Sequence, residues 1–449
     1  MPLHVLIIGA GTGGLALAQA LKKSKADVTF AVYERDRTRT DGLFGYRVGI
    51  SPEGSRCLAE CLPPDLFEVF KRTTAIPPDS FNIITEHCQE LLSIDGFSKE
   101  SEDGVAGERS VSRMTLRQVL LTGLEGSVHF DKHFTRYTAN GDGTVSASFK
   151  DGTSATGDLL VGADGTGSPV RRQYLPRALL RESGLYGVTA KVELTEETRA
   201  LLPPKALRGV TMVNAPHGDS CIIHVMEFPW DRDGRLKEGI GGNDEALLRG
   251  WPGLTFDNSR DYILLGFASH GSRMPDGFMS MDGPSLHDLL LSRTAAWHPH
   301  LRRLFSLSDA STSFPLNIRT SERMAPWEST NVTLIGDAIH TMTPGLGVGA
   351  NTALLDAKIL AEKLIGVQGD KTGVVQAVAS YERDMHAYAW TRVDKSLERF
   401  NADDAVYKPG LTGTLATMFL RAGMRLVNSL PPLKRRFAAE ITKERGDPS

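Results

Sequence analysis

The stretch that most restricts how this chain can fold lies near its N-terminus, His4-Val-Leu-Ile-Ile-Gly9-Ala-Gly11-Thr12-Gly13-Gly14-Leu15. Val5 to Ile8 is an aliphatic run of the kind that suits a strand buried on both faces. Gly9, Gly11 and Gly14 follow in GxGxxG spacing, and Leu15 to Leu21 continues as a helix. Gly9 makes the tight turn, Gly11 leaves room for backbone to approach a pyrophosphate, and Gly14 lets the helix pack closely on the strand. Thr12, inside the turn, is a further candidate contact. Twenty positions after Gly14 a second apolar run ends in Val32-Tyr33-Glu34, with Arg35 behind it. Glu34 can accept hydrogen bonds from ribose hydroxyls, and the helix N-terminus faces the phosphates. The fragment predicts an α/β fold that binds a dinucleotide.

Two later stretches repeat the theme of a strand ending in a carboxylate. Asp158-Leu-Leu-Val-Gly-Ala-Asp164-Gly165 is followed by Ser168 and Arg171. Val332 to Ile335 ends at Gly336-Asp337, and Pro344, Gly345, Gly347 and Gly349 then bring backbone N–H groups towards a bound ligand. Asn351 can cap the next helix, in which Leu354, Ala357, Leu360 and Leu364 form one apolar face. A carboxylate beside a glycine turn and a helix N-terminus suits a polar or anionic ligand.

In this order the three motifs resemble those of the class A FAD-dependent aromatic hydroxylases related to 4-hydroxybenzoate hydroxylase, over about residues 4 to 365. The resemblance implies a Rossmann-like FAD-binding domain with a second mixed β-sheet substrate domain and C-terminal helices. It makes Asp164 and Asp337 ligands of ribose or ribityl hydroxyls. Gly336, Gly345, Gly347, Gly349, Ala350 and Asn351 become flavin contacts, their backbone N–H groups facing the charge of the reduced ring. Arg113, just ahead of a helix, matches a position that contacts the pyrophosphate, where a guanidinium can pair with phosphate oxygens. Arg47 matches a residue near the isoalloxazine and the nicotinamide route, and Pro344 lies at the flavin. The cofactors implied are FAD and, as transient donor, NADPH or NADH. The expected reaction is hydroxylation or epoxidation of an electron-rich aromatic or polycyclic metabolite by dioxygen, through a C4a-hydroperoxyflavin. No WxWxIP run of the flavin halogenases is present. A reductase or a non-catalytic FAD-binding module on the same scaffold are the competing readings.

At 449 residues the chain exceeds a single core. Residues 1–75, 100–185 and 310–370 are expected to form a discontinuous FAD domain, 76–99 and 186–309 the substrate sheet, and 371–449 a helical extension. Runs of strands from Gly187 to Ser269 without alternating helices predict the second sheet. On its Asp219–Phe228 strand, alternation puts Ser220, Ile222, His224 and Met226 on one face and Cys221, Ile223 and Val225 on the other. His224 is a candidate base; a histidine satisfied within the structure is the alternative. Thr40 to Ile50 is expected as a loop, and residues 229–261 as a polar loop with a short helix. Leu411 to Leu430 is an apolar-rich helix suited to packing on the body of the protein, a partner or a membrane surface.

A net charge of −3 and a pI near 6.5 offer no basic footprint for nucleic acid. Cys57, Cys61, Cys88 and Cys221 have no metal-binding spacing and are expected as reduced thiols, so no metal is expected. With no signal peptide and no apolar run near about 20 residues, a cytoplasmic monomer or homodimer is expected.

Overall fold

The buried runs lie side by side in the computed structural model, which describes residues 2–38, 46–96, 100–229, 261–367, 371–400, 403–408 and 410–444. Val332–Leu334, Leu159–Gly162, Leu3–Ile8, Val28–Tyr33 and Val128–His129 follow one another across a wholly parallel sheet. Every residue of Leu159–Gly162 and Val332–Leu334 is buried, as strands covered on both faces require. The Thr12–Ser24 helix packs on this sheet, and the Gly349–Gly366 helix packs on that helix. Their closeness is set by Gly13, where an added Cβ would stand 3.3 Å from the Ala353 carbonyl oxygen.

The segment from Val128 to Ala139 forms two strands rather than one. Val128–His129 closes the parallel sheet, and Phe134–Ala139 joins Val145–Phe149 and Ser154–Gly157 in a separate antiparallel sheet. Asp131 between them has φ of 58°, a left-handed conformation that ends extended structure. Likewise Thr40 to Ile50 is not all loop. Arg47–Ile50 is a strand paired antiparallel with Arg109–Ser112, because Arg47, Val48, Gly49 and Ile50 find backbone partners there.

The second sheet has seven strands and is mixed. Asp309–Ser321, Leu180–Glu193, Tyr262–His270, Ser220–Met226, Gly209–Asn214, Ser80–Thr85 and Glu90–Asp95 follow in that order, all neighbours antiparallel except Gly209–Asn214 with Ser80–Thr85. Phe314 to Leu316 belongs to this sheet rather than returning the chain to the first, since it pairs with Gly187 to Thr189. The expected divisions at 185/186 and 309/310 therefore fall within two long strands. Of the polar insertion expected at residues 229–261, residues 230–260 lie outside the described residues.

Alternation on Ser220–Met226 now has a direction. Cys221, Ile223 and Val225 are buried against Leu286 and Leu290 of the Gly283–Arg293 helix and Leu301, Leu304 and Phe305 of the Pro299–Ser306 helix. Ile222 and His224 point the other way, in register with Gly266 and Leu264 and with Met212 and Val210. The thiols of Cys57 and Cys221 are buried, and burial pushes each up to about 12, so they stay protonated.

Adjacent isoleucines test the two faces. Ile223→Ala should cost about 2–5 kcal/mol in urea denaturation through a new core cavity. Ile222→Ala, at a half-buried site, should cost clearly less while changing ligand affinity. Equal losses would show that the faces are misassigned.

Candidate FAD site

Parallel strands deliver their C-terminal ends to one edge. Tyr33, Ile8, Gly162 and Leu334 are neighbours in register, so Glu34, Gly9, Asp164 and Asp337 all emerge there. Gly9 has φ of +109°, and a Cβ on it would fall 2.4 Å from the Ala163 carbonyl oxygen. A Cβ on Gly14 would fall 2.2 Å from the Gly9 carbonyl oxygen. Both glycines are demanded by the protein's own packing. Gly11 is different: its Cβ would meet nothing within 4 Å, at the N-cap of the Thr12–Ser24 helix. Thr12, the first helical residue, is half-buried.

Glu34 is fastened to this turn. Its carboxylate accepts from the Ala10 N–H at 2.6 Å and from the Asp36 N–H at 3.0 Å. Arg117 closes the corner, 2.9 Å from Asp36 and 3.8 Å from Glu34, and donates to the Ala10 carbonyl at 3.1 Å. Sequence reasoning singled out Arg113 and missed Arg117, although an arginine one helical turn on was a visible signal. Arg35 is exposed just beyond the strand.

At the second motif Ser168 caps the Pro169–Tyr174 helix by accepting from the Arg171 N–H at 2.8 Å. The Arg171 guanidinium then donates to Thr166 O at 3.0 Å and Ala338 O at 2.9 Å, tying the second motif to the third. Asp164 accepts from the Val170 N–H through Oδ2 at 3.2 Å, while Oδ1 is buried with no partner among the described residues. Burial pushes the Asp164 carboxyl above its ordinary range. Cβ atoms at Gly165 and Gly167 would meet nothing within 4 Å. An oxygen left without a donor beside an open glycine cradle fits a ligand with hydroxyl groups.

Asp337 follows Gly336, whose φ is 60°. Solvent reaches Asp337, yet enough protein surrounds it that burial pushes its carboxyl up, against the opposing charges of His340 and Arg113. Its Oδ1 is 4.0 Å from where a Cβ of Gly349 would stand, beside a helix N-terminus that has no side-chain cap. Pro344 and Gly347 are exposed there, and Gly349 and Ala350 half-buried. Asn351 is not the cap, because its carboxamide crosses to another segment: it accepts from the Ser51 N–H at 2.9 Å and donates to Gly49 O at 3.0 Å and Gly347 O at 3.2 Å. Gly345 is a glycine for packing, since its Cβ would lie 2.5 Å from Ser396 O on the Val374–Arg399 helix.

Behind this turn, His340 and Asp356 of the same motif belong to a buried network. Asp356 accepts from the Gly336 N–H at 2.7 Å and the Tyr388 hydroxyl at 2.5 Å, and pairs with His340 Nε2 at 2.6 Å. Burial opposes charging His340, but Asp356 holds its imidazole above the ordinary value.

On the second sheet, His224 is 2% exposed and neither ring nitrogen has a partner among the described residues. The structure thus does not favour the satisfied histidine. Burial, with the nearby charge of Arg47, pushes its pKa well down, so the ring is neutral. Arg47 donates to Ser110 Oγ at 3.1 and 3.3 Å and lies 3.9 Å from Glu108. Arg113 stacks over Tyr46 at 5.6 Å, and Tyr46 meets Phe314 at 6.4 Å. Met212, Ile222, Phe314 and Leu316 are half-buried on the His224 face.

Residues 307–396 match the FAD binding domain family. The dual O-methyltransferase/FAD-dependent monooxygenase CTB3 of Cercospora beticola is 35% identical over 406 residues, 87% of this chain and 45% of CTB3. The chain thus spans about half the length of that relative. A crystal structure from Photorhabdus luminescens subsp. laumondii, provisionally named an FAD-containing monooxygenase, is 31% identical, spans 88% of this chain and 97% of its own, and has a TM-score of 0.74. The chain belongs to the class A FAD-dependent monooxygenases. Klebsiella pneumoniae HpxO, solved with FAD and uric acid, shares the fold at 22% identity, with 99% of this chain and 96% of HpxO covered and a TM-score of 0.74.

Three outcomes test the site. Gly11→Val should abolish FAD retention, and a variant purified with full flavin would refute the placement of the turn. Asp337→Ala should weaken FAD roughly 10- to 100-fold by titration, the loss expected for a charge-assisted hydrogen bond. His340, raised above 6.5, contributes stability that is fully present below its unfolded value and is lost as pH rises through the folded one. The stability difference between wild type and His340→Gln should therefore be larger at about pH 6 than at about pH 9. A difference that is flat with pH would remove the pair from the account.

Proposed function

We propose that this chain inserts one oxygen atom of dioxygen into an electron-rich aromatic or polycyclic small molecule, with NADPH or NADH as electron donor. The observation that carries the reading is the juxtaposition of a dinucleotide-binding edge with a half-buried apolar wall holding one neutral, unpartnered histidine. In balance, substrate C–H, dioxygen, NAD(P)H and a proton give the hydroxylated product, water and NAD(P)⁺. FAD held at the dinucleotide-binding edge would supply the redox chemistry, hydride acceptance and dioxygen activation.

The chain's own residues then have positioning tasks. Gly11 and the first turn of the Thr12–Ser24 helix take the pyrophosphate, with Arg113 beside it. Asp164 Oδ1 and Asp337 accept from ribose and ribityl hydroxyls, and Glu34 holds the adenosine side. Backbone N–H groups at Gly349 and Ala350, on an uncapped helix end, face the negative charge of the reduced ring. Gly345 and Asn351 shape that turn through protein contacts. Met212, Ile222, Phe314 and Leu316 keep the chamber dry, which preserves the reactive oxygen for the substrate.

His224 is neutral and accepts a hydrogen bond from a substrate hydroxyl, fixing which ring carbon faces the flavin. Arg47, on the paired strand beside it, serves the nicotinamide approach. CTB3's other named activity, O-methylation, acts on an oxygen, which agrees with a hydroxylated product in that relative.

The deciding experiment mixes the holoprotein with NADPH or NADH and a panel of phenols and indoles under labelled dioxygen. Label in the product supports oxygen insertion; product without label identifies a reductase or dehydrogenase and refutes it. Arg47→Ala should slow NAD(P)H-driven flavin reduction at least tenfold while retaining FAD. The opposite pattern would make Arg47 structural.

A further inference from the structure

The Gly410–Ser429 helix lies on the edge of the second sheet with one face only. Gly413 and Thr417 are buried, and Met424 and Val427 pack against Ile83, Leu92 and Ile94. The opposite face is apolar and open. Leu411 is 73% exposed, Met418 61%, Phe419 75% and Leu426 58%, with Leu415 and Leu430 continuing the row. These positions recur every three, four or seven residues, so they form a stripe along about 30 Å of helix. A stripe of this length exceeds the scattered apolar side chains of an ordinary surface.

Charge says what covers it. The helix contains no Asp or Glu, and residues 410–444 carry six basic side chains against Glu440 and Glu444, a net +4 within a chain of net −3. Arg421 turns inward to Glu86, but Arg435, Arg436 and Lys443 are exposed on the following Pro431–Glu444 helix. A second copy would bring the same positive charge against itself. No helix among the described residues is long and apolar enough to cross a membrane, so the stripe would lie in the plane of a surface.

We propose that the Gly410–Ser429 helix docks this protein on an anionic lipid surface, its apolar stripe entering the headgroup boundary and the basic residues of the next helix facing acidic lipids. The inference is independent of the reaction assigned above.

Flotation of the FAD-loaded protein with vesicles of phosphatidylcholine plus phosphatidylserine, and with phosphatidylcholine alone, tests it. Binding is expected on the acidic vesicles, at least about tenfold weaker on neutral ones and weakened further by salt. Met418→Glu/Phe419→Glu and, separately, Arg435→Glu/Arg436→Glu should each reduce binding about tenfold or more with FAD content unchanged. Because all four positions are exposed, these variants should fold, and melting temperature checks that. No binding to acidic vesicles, or binding that ignores both pairs of substitutions, overturns the proposal. So does a dimer in sedimentation that Met418→Glu/Phe419→Glu dissociates, which would make a second copy the occupant.

Discussion

In a parallel sheet every strand hands its last residue to the same edge, and here that edge receives groups from opposite ends of the chain. Glu34, Gly9, Asp164 and Asp337 are brought together by registers between neighbouring strands, Ile8 with Tyr33 and Gly162, and Gly162 with Leu334. The rest of the cofactor edge is fitted around this constraint. Arg117 pins Glu34 to the glycine turn, Arg171 spans from Thr166 to Ala338, and Asp356 holds Gly336 from behind. None of these three needs to touch a ligand to matter, because each fixes the backbone from which a candidate ligand contact projects.

What was legible in the sequence follows from the range of the forces involved. Gly9 and Gly14 carry local signatures, since a turn and a helix crossing allow no Cβ, and their clashes of 2.4 and 2.2 Å bear that out. Strand ends in Glu34, Asp164 and Asp337 were legible for the same reason. Gly345 and Asn351 were not, because their constraints come from partners far along the chain: Ser396 for the first, Gly49 and Ser51 for the second. A helix-capping role for Asn351 was a local expectation overridden by a tertiary bond. His224 shows the converse limit. Alternation put it on a face with Ile222, but only the helices packed behind Ile223 showed that this face is turned away from the core.

Two of the buried groups left without partners among the described residues, Asp164 Oδ1 and the His224 ring, lie where a ligand is expected. Leaving a buried acceptor without a donor costs about 1–3 kcal/mol, and Asp164 Oδ1 has no donor among the described residues. Asp337, which solvent reaches, carries no such cost. A ligand that donates a hydroxyl hydrogen to Asp164 Oδ1 relieves the penalty there, which makes part of the binding free energy the removal of a folding penalty. Conformational stability and cofactor content are thereby linked, and each kcal/mol relieved appears as stabilisation on loading.

His224 carries the same kind of penalty on the other sheet, with a different consequence. An imidazole kept neutral by burial is a poor permanent charge but a directional hydrogen-bond partner. In the role proposed for it, its value would lie in rejecting ligands that cannot meet it, since an apolar ring of the right size would leave both nitrogens unpaired in a desolvated site. In the proposed arrangement the wall of Met212, Ile222, Phe314 and Leu316 supplies attraction without direction, and polar groups on the same face, His224 and the Thr189 hydroxyl, supply direction. Orientation of a flat substrate over a flavin requires both, because stacking alone leaves the ring free to turn in its own plane.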